Sequence, residues 1–385
     1  MRKQRLFTPG PTPVMPVVQS ALASPLIHHR TPAFAVLLLE TRERLQKIFR
    51  SDSDVVVLTS SGTGAMEAAV ASVLRPELDR GLIVSTGKFG ERWIDLCRVH
   101  GIPHDVLTKP YGQAASSRDI ADRMVESGAN ALLLQGCETS TATRLDLKSI
   151  SHEVRSRVPE ALIIVDAITA LATQPVESQA WGLDVVISGS QKSFAMSPGL
   201  AFMCLSPHAL AAAQRAGTKG YYFDLAREAL RQRDGQTAFT PAISLIQALH
   251  AAAGEILDQG LDRVIREAEL MATATRAGLQ ALGFKLLSSA PANAVTAAFP
   301  PTGIEAKNLI RSLESRFGVK VAGGQGVLKG KILRIAHLGY FDPLDVITLL
   351  AALEICVSED ALTPKATGAG VAVAMEVVRD QEVAT

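Results

Sequence analysis

The stretch Asp184-Val185-Val186-Ile187-Ser188-Gly189-Ser190-Gln191-Lys192-Ser193-Phe194 decides how this chain is read. Its run of valine and isoleucine predicts a buried strand from Asp184 to Ile187, ending in small polar residues. A single lysine stands where the strand stops. Desolvation lowers the pKa of an amine held in such a place, so Lys192 is a candidate nucleophile rather than an ordinary solvated charge.

Upstream, Leu162-Ile163-Ile164-Val165-Asp166 is a second apolar run, and it ends in a carboxylate. Two neighbouring strands would deliver Asp166 and Lys192 to one sheet edge, because ligands of open α/β sheets bind beyond the carboxyl ends of the strands. A turn role would account for Asp166 alone. It leaves the pairing with Lys192 as coincidence. Aspartate plus lysine is the pair that pyridoxal phosphate requires. The lysine forms the Schiff base, and the aspartate keeps the pyridine nitrogen protonated so that the ring accepts carbanion electrons.

A chain of 385 residues can bury a large core and predicts two domains. The formal net charge of +1 points to neither a nucleic-acid nor a membrane partner. No apolar run approaches the ~20 residues of a membrane span. The basic start Met1 to Arg5 runs straight into Pro9, Pro11 and Pro13, which is not a signal-peptide pattern. Cys97, Cys137, Cys204 and Cys356 are scattered, which suits reduced thiols in a cytoplasmic protein.

In chain order, Thr8-Pro9-Gly10-Pro11-Thr12-Pro13 predicts an extended strap laid over another surface. His28-His29-Arg30-Thr31-Pro32 is a loop that either reads an acidic ligand, pairs with a partner, or is simply solvated. The strand Val55 to Thr59 then runs into Ser60-Ser61-Gly62-Thr63-Gly64 and a helix start. Strand, small-residue turn and helix leave backbone N–H groups and a positive helix end where a phosphate can sit. The pattern is neither a Walker loop nor a dinucleotide fingerprint. Phe89 follows the strand Gly81 to Thr86 and could stack on a flat ring or cap the core. Further strands end in the hydroxyl-rich turn Gln135 to Thr141, and at Leu200 to Leu205. This alternation predicts an α/β domain with a mostly parallel sheet.

A polar, aromatic segment spans about Lys219 to Gln236. Thr240-Pro241 then predicts the N-cap and first turn of one long helix reaching roughly Leu282. Beyond it, short strands and helices predict a smaller α+β domain, and the residues after Thr363 a weakly helical tail. Arg334, inside the apolar run Leu333 to His337, needs a carboxylate from the protein or from a ligand. The expected divisions are an arm at 1–20, a large domain at 21–255 and a small domain at 256–385.

Taken together, the Pro-Gly-Pro arm, His28-His29-Arg30-Thr31-Pro32, Ser61-Gly62-Thr63-Gly64-Ala65-Met66-Glu67, Glu138-Thr139-Ser140-Thr141, Val165-Asp166-Ala167, Ser188-Gly189-Ser190-Gln191-Lys192 and Leu333-Arg334-Ile335 resemble a class V aminotransferase of pyridoxal-phosphate fold type I. More narrowly, the chain resembles the alanine–glyoxylate/serine–pyruvate family over nearly its whole length. The resemblance implies that Lys192 carries pyridoxal 5'-phosphate and then acts as general acid/base. It implies Asp166 at the pyridine nitrogen, Phe89 stacked on the ring, Ile168 on the opposite face and Thr139 near the ring hydroxyl. Ser61, Gly62, Thr63 and Gln191 would hold the phosphate, with Thr240 reaching it from the neighbouring subunit of a homodimer. Thr237 stands where some relatives have a tyrosine for a second such contact. Arg334 would grip the substrate α-carboxylate, Gly10 would lie near the substrate, and the arm would cross the partner subunit. The implied reaction moves an amino group from alanine or serine to glyoxylate or pyruvate by ping-pong transfer. Other class V specificities (aspartate, phosphoserine, 2-aminoethylphosphonate) and a non-catalytic subunit are the alternatives.

Overall fold

The computed structural model describes residues 3–217, 220–360 and 368–382. Its centre is a seven-stranded sheet. Across the sheet the strands are Asp54–Thr59, Leu200–Leu205, Val185–Gly189, Leu162–Asp166, Ala131–Gln135, Gly81–Ser85 and His104–Thr108. Only Leu200–Leu205 runs antiparallel to its neighbours, so the sheet is mostly parallel as expected. Helices cover both faces, which is why the inner strands are apolar throughout rather than alternating. Register sets Asp166 opposite Gln135 on one side and Ile187 on the other. The strand begins at Val185, one residue after the predicted start at Asp184, whose buried carboxylate accepts from Ile163 N at 2.8 Å and pairs with Arg155 at 2.5 Å.

The edge strand Asp54–Thr59 is closed by a side chain. Gln232 accepts from Val57 N at 2.9 Å and donates to Val57 O at 2.8 Å, standing in for a neighbouring strand. The smaller C-terminal unit is a four-stranded antiparallel sheet in the order Lys285–Leu286, Val295–Phe299, Leu333–Ala336, Ala322–Gly323. The helices Leu261–Ala281, Pro343–Asp360 and Ala369–Glu382 pack together beside it. All four cysteines are buried, and none is in a disulfide among the described residues. Among the described residues, no helix is long and apolar enough to cross a membrane.

Two expectations are corrected. The single long helix is two, Ile243–Gln259 and Leu261–Ala281, broken at Gly260 with φ +85°. Its start also moves. Thr240 and Pro241 are not helical, and Ala242 N donates instead to Thr59 Oγ1 at 2.9 Å, fastening this segment to the sheet edge. The strap makes contacts with its own chain. Arg5–Leu6 pairs in parallel with Val319–Lys320, Ala336 N donates to Phe7 O at 2.9 Å, Thr12 Oγ1 to Lys192 O at 2.9 Å, and Met15 N to Ala195 O at 3.0 Å. Those bonds fasten the strap to the body of its own chain at Arg5–Phe7, Thr12 and Met15. Lys219, at the start of the polar segment, and the tail from Thr363 to Thr367 lie outside the described residues.

Candidate active site

Lys192 follows the strand Val185–Gly189 and lies beneath the strap. Its amine donates to Pro9 O. Gly10 crosses directly over it, with φ +126° and room for no side chain: a Cβ there would fall 2.5 Å from Lys192 Nζ. Burial pushes the Lys192 pKa down to about 8, with Arg334 and Arg92 adding to the shift and Asp166 opposing it. Asp166 ends the adjacent strand and is 5 % exposed. Burial raises its pKa to about 6, against the Ile168 N–H that donates to Oδ1 at 2.9 Å. No bond to Oδ2 occurs among the described residues.

The Gly-rich turn has the geometry of an anion cradle. The helix Gly62–Val73 begins after Ser61, whose side chain makes no capping bond. The first backbone bonds back to Ser61 O come from Gly64 and Ala65, leaving the Gly62 and Thr63 N–H groups outside the helical ladder. A Cβ at Gly62 would overlap Ile168 Cδ1, so a larger residue there requires the Ile168 side chain to move. Ile168 is thereby wedged between Gly62 and Gly189, next to Asp166. The Gln191 Oε1 atom is buried without a donor.

Phe89 is half-buried in the first turn of the helix Lys88–Val99, with the Arg92 guanidinium 4.8 Å from its ring centroid. Thr139 Oγ1 is 2.8 Å from Thr169 Oγ1. Arg334 is 6 % exposed, yet no carboxylate of the described residues pairs with it. It is held instead by two backbone carbonyls, Nε to Gly323 O at 2.9 Å and Nη1 to Thr139 O at 3.1 Å. One hydrogen on Nη1 and both on Nη2 remain for a carboxylate.

Thr240 stands apart from this group. It is exposed, and it lines a cleft with Thr59, Tyr222, Thr237 and Phe239 at the sheet edge. Thr237 is buried and its hydroxyl is committed to Phe239 O at 2.6 Å. Arg30 is likewise engaged, donating to Gln236 Oε1 at 2.8 Å and Thr237 O at 3.0 Å. The reading of the sequence passed over two residues at the site. Arg92 sits three positions after Phe89, one helical turn on. Glu138 is a carboxylate placed just past a buried strand, the same signal that marked Asp166.

The residues present fit pyridoxal phosphate. Asp166 Oδ2 awaits a donor, the Gly62–Thr63 N–H groups await an anion, and Phe89 and Ile168 offer flat apolar contact.

Comparison with known proteins agrees. The model of the family described as aminotransferase class-V matches residues 17–341. The chain is 37% identical over 380 residues to the soluble hydrogenase 42 kDa subunit of Anabaena cylindrica, covering 97% of this chain and 98% of that one. It is 29% identical over 378 residues to L-aspartate–glyoxylate aminotransferase of Paracoccus denitrificans, covering 96% and 95%. The crystal structure of a subgroup IV aspartate aminotransferase from Thermus thermophilus superposes with TM-score 0.87 at 34% identity, covering 93% of this chain and 100% of that one. The strand-end lysine and aspartate, the phosphate-type turn and the family match agree with one another: the chain belongs to the class V aminotransferases.

Proposed function

We propose that this aminotransferase takes the amino group of a small amino acid, alanine or serine, and delivers it to glyoxylate or pyruvate in two half-reactions on one site. The observation that carries this reading is Arg334: a buried guanidinium with no carboxylate in ion-pair contact among the described residues, though it feels the charge of Glu138, and its own charge is felt at Lys192. A buried cation left unpaired is costly, so an anionic ligand is its natural partner. Three free N–H groups suit an α-carboxylate.

Pyridoxal phosphate, when bound, supplies an electron sink for the substrate α-carbon. The chain's own residues do the rest. Arg334 fixes the carboxylate and so orients the α-carbon hydrogen. Lys192 Nζ, whose neutral form burial favours, takes that proton and returns it. Asp166 would hold the pyridine nitrogen in its protonated form. Phe89 and Ile168 would enclose the ring, and Thr139 would lie near its hydroxyl. Ser61, Gly62, Thr63 and Gln191 hold the phosphate, aided by Thr240 of a second copy in a homodimer. Gly10 and the strap lie close over Lys192, where a Cβ at Gly10 would fall 2.5 Å from Nζ.

A second reading has aspartate as donor, and two relatives favour it by name: L-aspartate–glyoxylate aminotransferase and the Thermus aspartate aminotransferase. A subunit without turnover, suggested by the name of the Anabaena relative, has no evident use for the Lys192, Asp166 and Arg334 set. The test is the visible band of the cofactor-loaded protein with L-alanine, L-serine or L-aspartate added in turn. Bleaching by alanine or serine, with return on adding glyoxylate or pyruvate, is expected. Bleaching by aspartate alone would move the assignment to the second reading. A band that ignores all three would overturn both.

A further inference from the structure

Glu138 is a fully buried carboxylate near the site with no part in the chemistry above: its exposure is 0%. It accepts every donor around it. Oε2 takes Phe89 N at 3.0 Å and Gly90 N at 2.9 Å, while Oε1 takes Ser140 N at 3.1 Å and Ser140 Oγ at 2.6 Å. Ser140 Oγ in turn accepts Lys88 N at 3.0 Å. The N–H groups of residues 88, 89 and 90, which open the helix, are therefore all held from the Cys137–Thr141 turn.

A helix is ordinarily capped by the side chain of the residue just before it. Here that residue is Gly87, which has none. A Cβ at Gly87 would overlap Ser140 Oγ and come within 2.6 Å of Glu138 Cδ. The cap is thus supplied from about fifty residues further along the chain, by a carboxyl group at the positive helix end, where burial raises its pKa and the donors from Ser140, Gly90 and Phe89 oppose that shift. Only a carboxylate offers acceptors to both sets of donors. An amide would turn an NH2 group against one of them.

We propose that Glu138 is a positioning residue: by clamping the first turn of the helix Lys88–Val99, it fixes the Phe89 ring for stacking on the cofactor. This rests on the role given to Phe89 above. The same turn also bears on the substrate, since the Thr139 carbonyl holds Arg334. One short loop therefore sets both the ring-stacking group and the carboxylate grip.

The test is a double-mutant cycle on cofactor affinity, read by titrating the apoprotein with pyridoxal phosphate and following the visible band. Glu138→Gln is expected to weaken binding about tenfold in the parent protein and less than about twofold in a Phe89→Ala background, because residues acting as one unit are non-additive. A purely structural cap would weaken both backgrounds alike. That result overturns the proposal, as does unchanged affinity in the parent. Should Glu138→Gln fail to fold, Ser140→Ala enters the same cycle, with a weakening of about threefold expected in the parent only. If Phe89→Ala by itself leaves affinity unchanged, the stacking role of Phe89 falls and takes this proposal with it. If Phe89→Ala weakens binding and Glu138→Gln does not, only the proposal falls.

Discussion

Replacing Arg334 by lysine separates substrate recognition from cofactor binding. Arginine at this position meets three demands at once: Nε on Gly323 O, Nη1 on Thr139 O, and a free pair of nitrogens for the substrate. Lysine keeps the charge but has a single nitrogen with three donors, and no planar fork. It can satisfy the carbonyls or the carboxylate, not both. The loss is one charge-assisted bond plus the alignment of the fork, about 2–4 kcal/mol, or roughly 30- to 1000-fold in kcat/KM. The assay is a single turnover without acceptor: the rate at which the amino acid bleaches the cofactor band, measured against its concentration. Cofactor affinity should stay near the parent value, because the proposed role of Arg334 is toward the substrate carboxylate and the substitution keeps its charge. An amine that lacks the carboxylate should react equally slowly with both proteins. Retention of activity within about threefold would refute the grip, because a point charge would then suffice. Equal losses for amino acid and simple amine would place Arg334 in the scaffold.

Three further outcomes follow from the geometry. The apoprotein should capture pyridoxal phosphate faster as pH rises, with a midpoint about 8, since only the neutral Lys192 amine attacks and burial lowers its pKa to about 8; stopped-flow rates with a midpoint above 10 would contradict this. Gly62→Ala should weaken the cofactor by about tenfold or more, because the new methyl overlaps Ile168 Cδ1, and a near-parent dissociation constant would show that Ile168 steps aside. Gln232→Leu should cost about 2–4 kcal/mol, because Val57 N and O lose their partners, and the thermal midpoint should fall while the cofactor spectrum is unchanged.

The parts of the site legible in the sequence are those that sit at strand ends. Val185–Gly189 and Leu162–Asp166 are buried on both faces, so each reads as an apolar run, and the polar residue that breaks it is exposed by contrast. Ser61 to Gly64 stands out for the same reason. What remained hidden depends on contacts between distant residues. The Glu138 clamp joins positions about fifty apart, and nothing local marks its target. Gly260 lies within an otherwise helical pattern, where one glycine is compatible with continuation as well as with a break. The strap's composition announces an extended segment, but which surface it covers is decided by pairing with Val319–Lys320. Threonine before proline at 240–241 looks like a helix start, yet the backbone there is spent on Thr59 instead.

The most direct measurement is chemical capture at Lys192. The cofactor-loaded protein is reduced with borohydride, digested and mapped by mass spectrometry. The expected result is a pyridoxyl group on the peptide carrying Lys192 and nowhere else, with none in Lys192→Ala, which should also show no turnover. Label on another lysine, or substantial activity in Lys192→Ala, would contradict the assignment of Lys192.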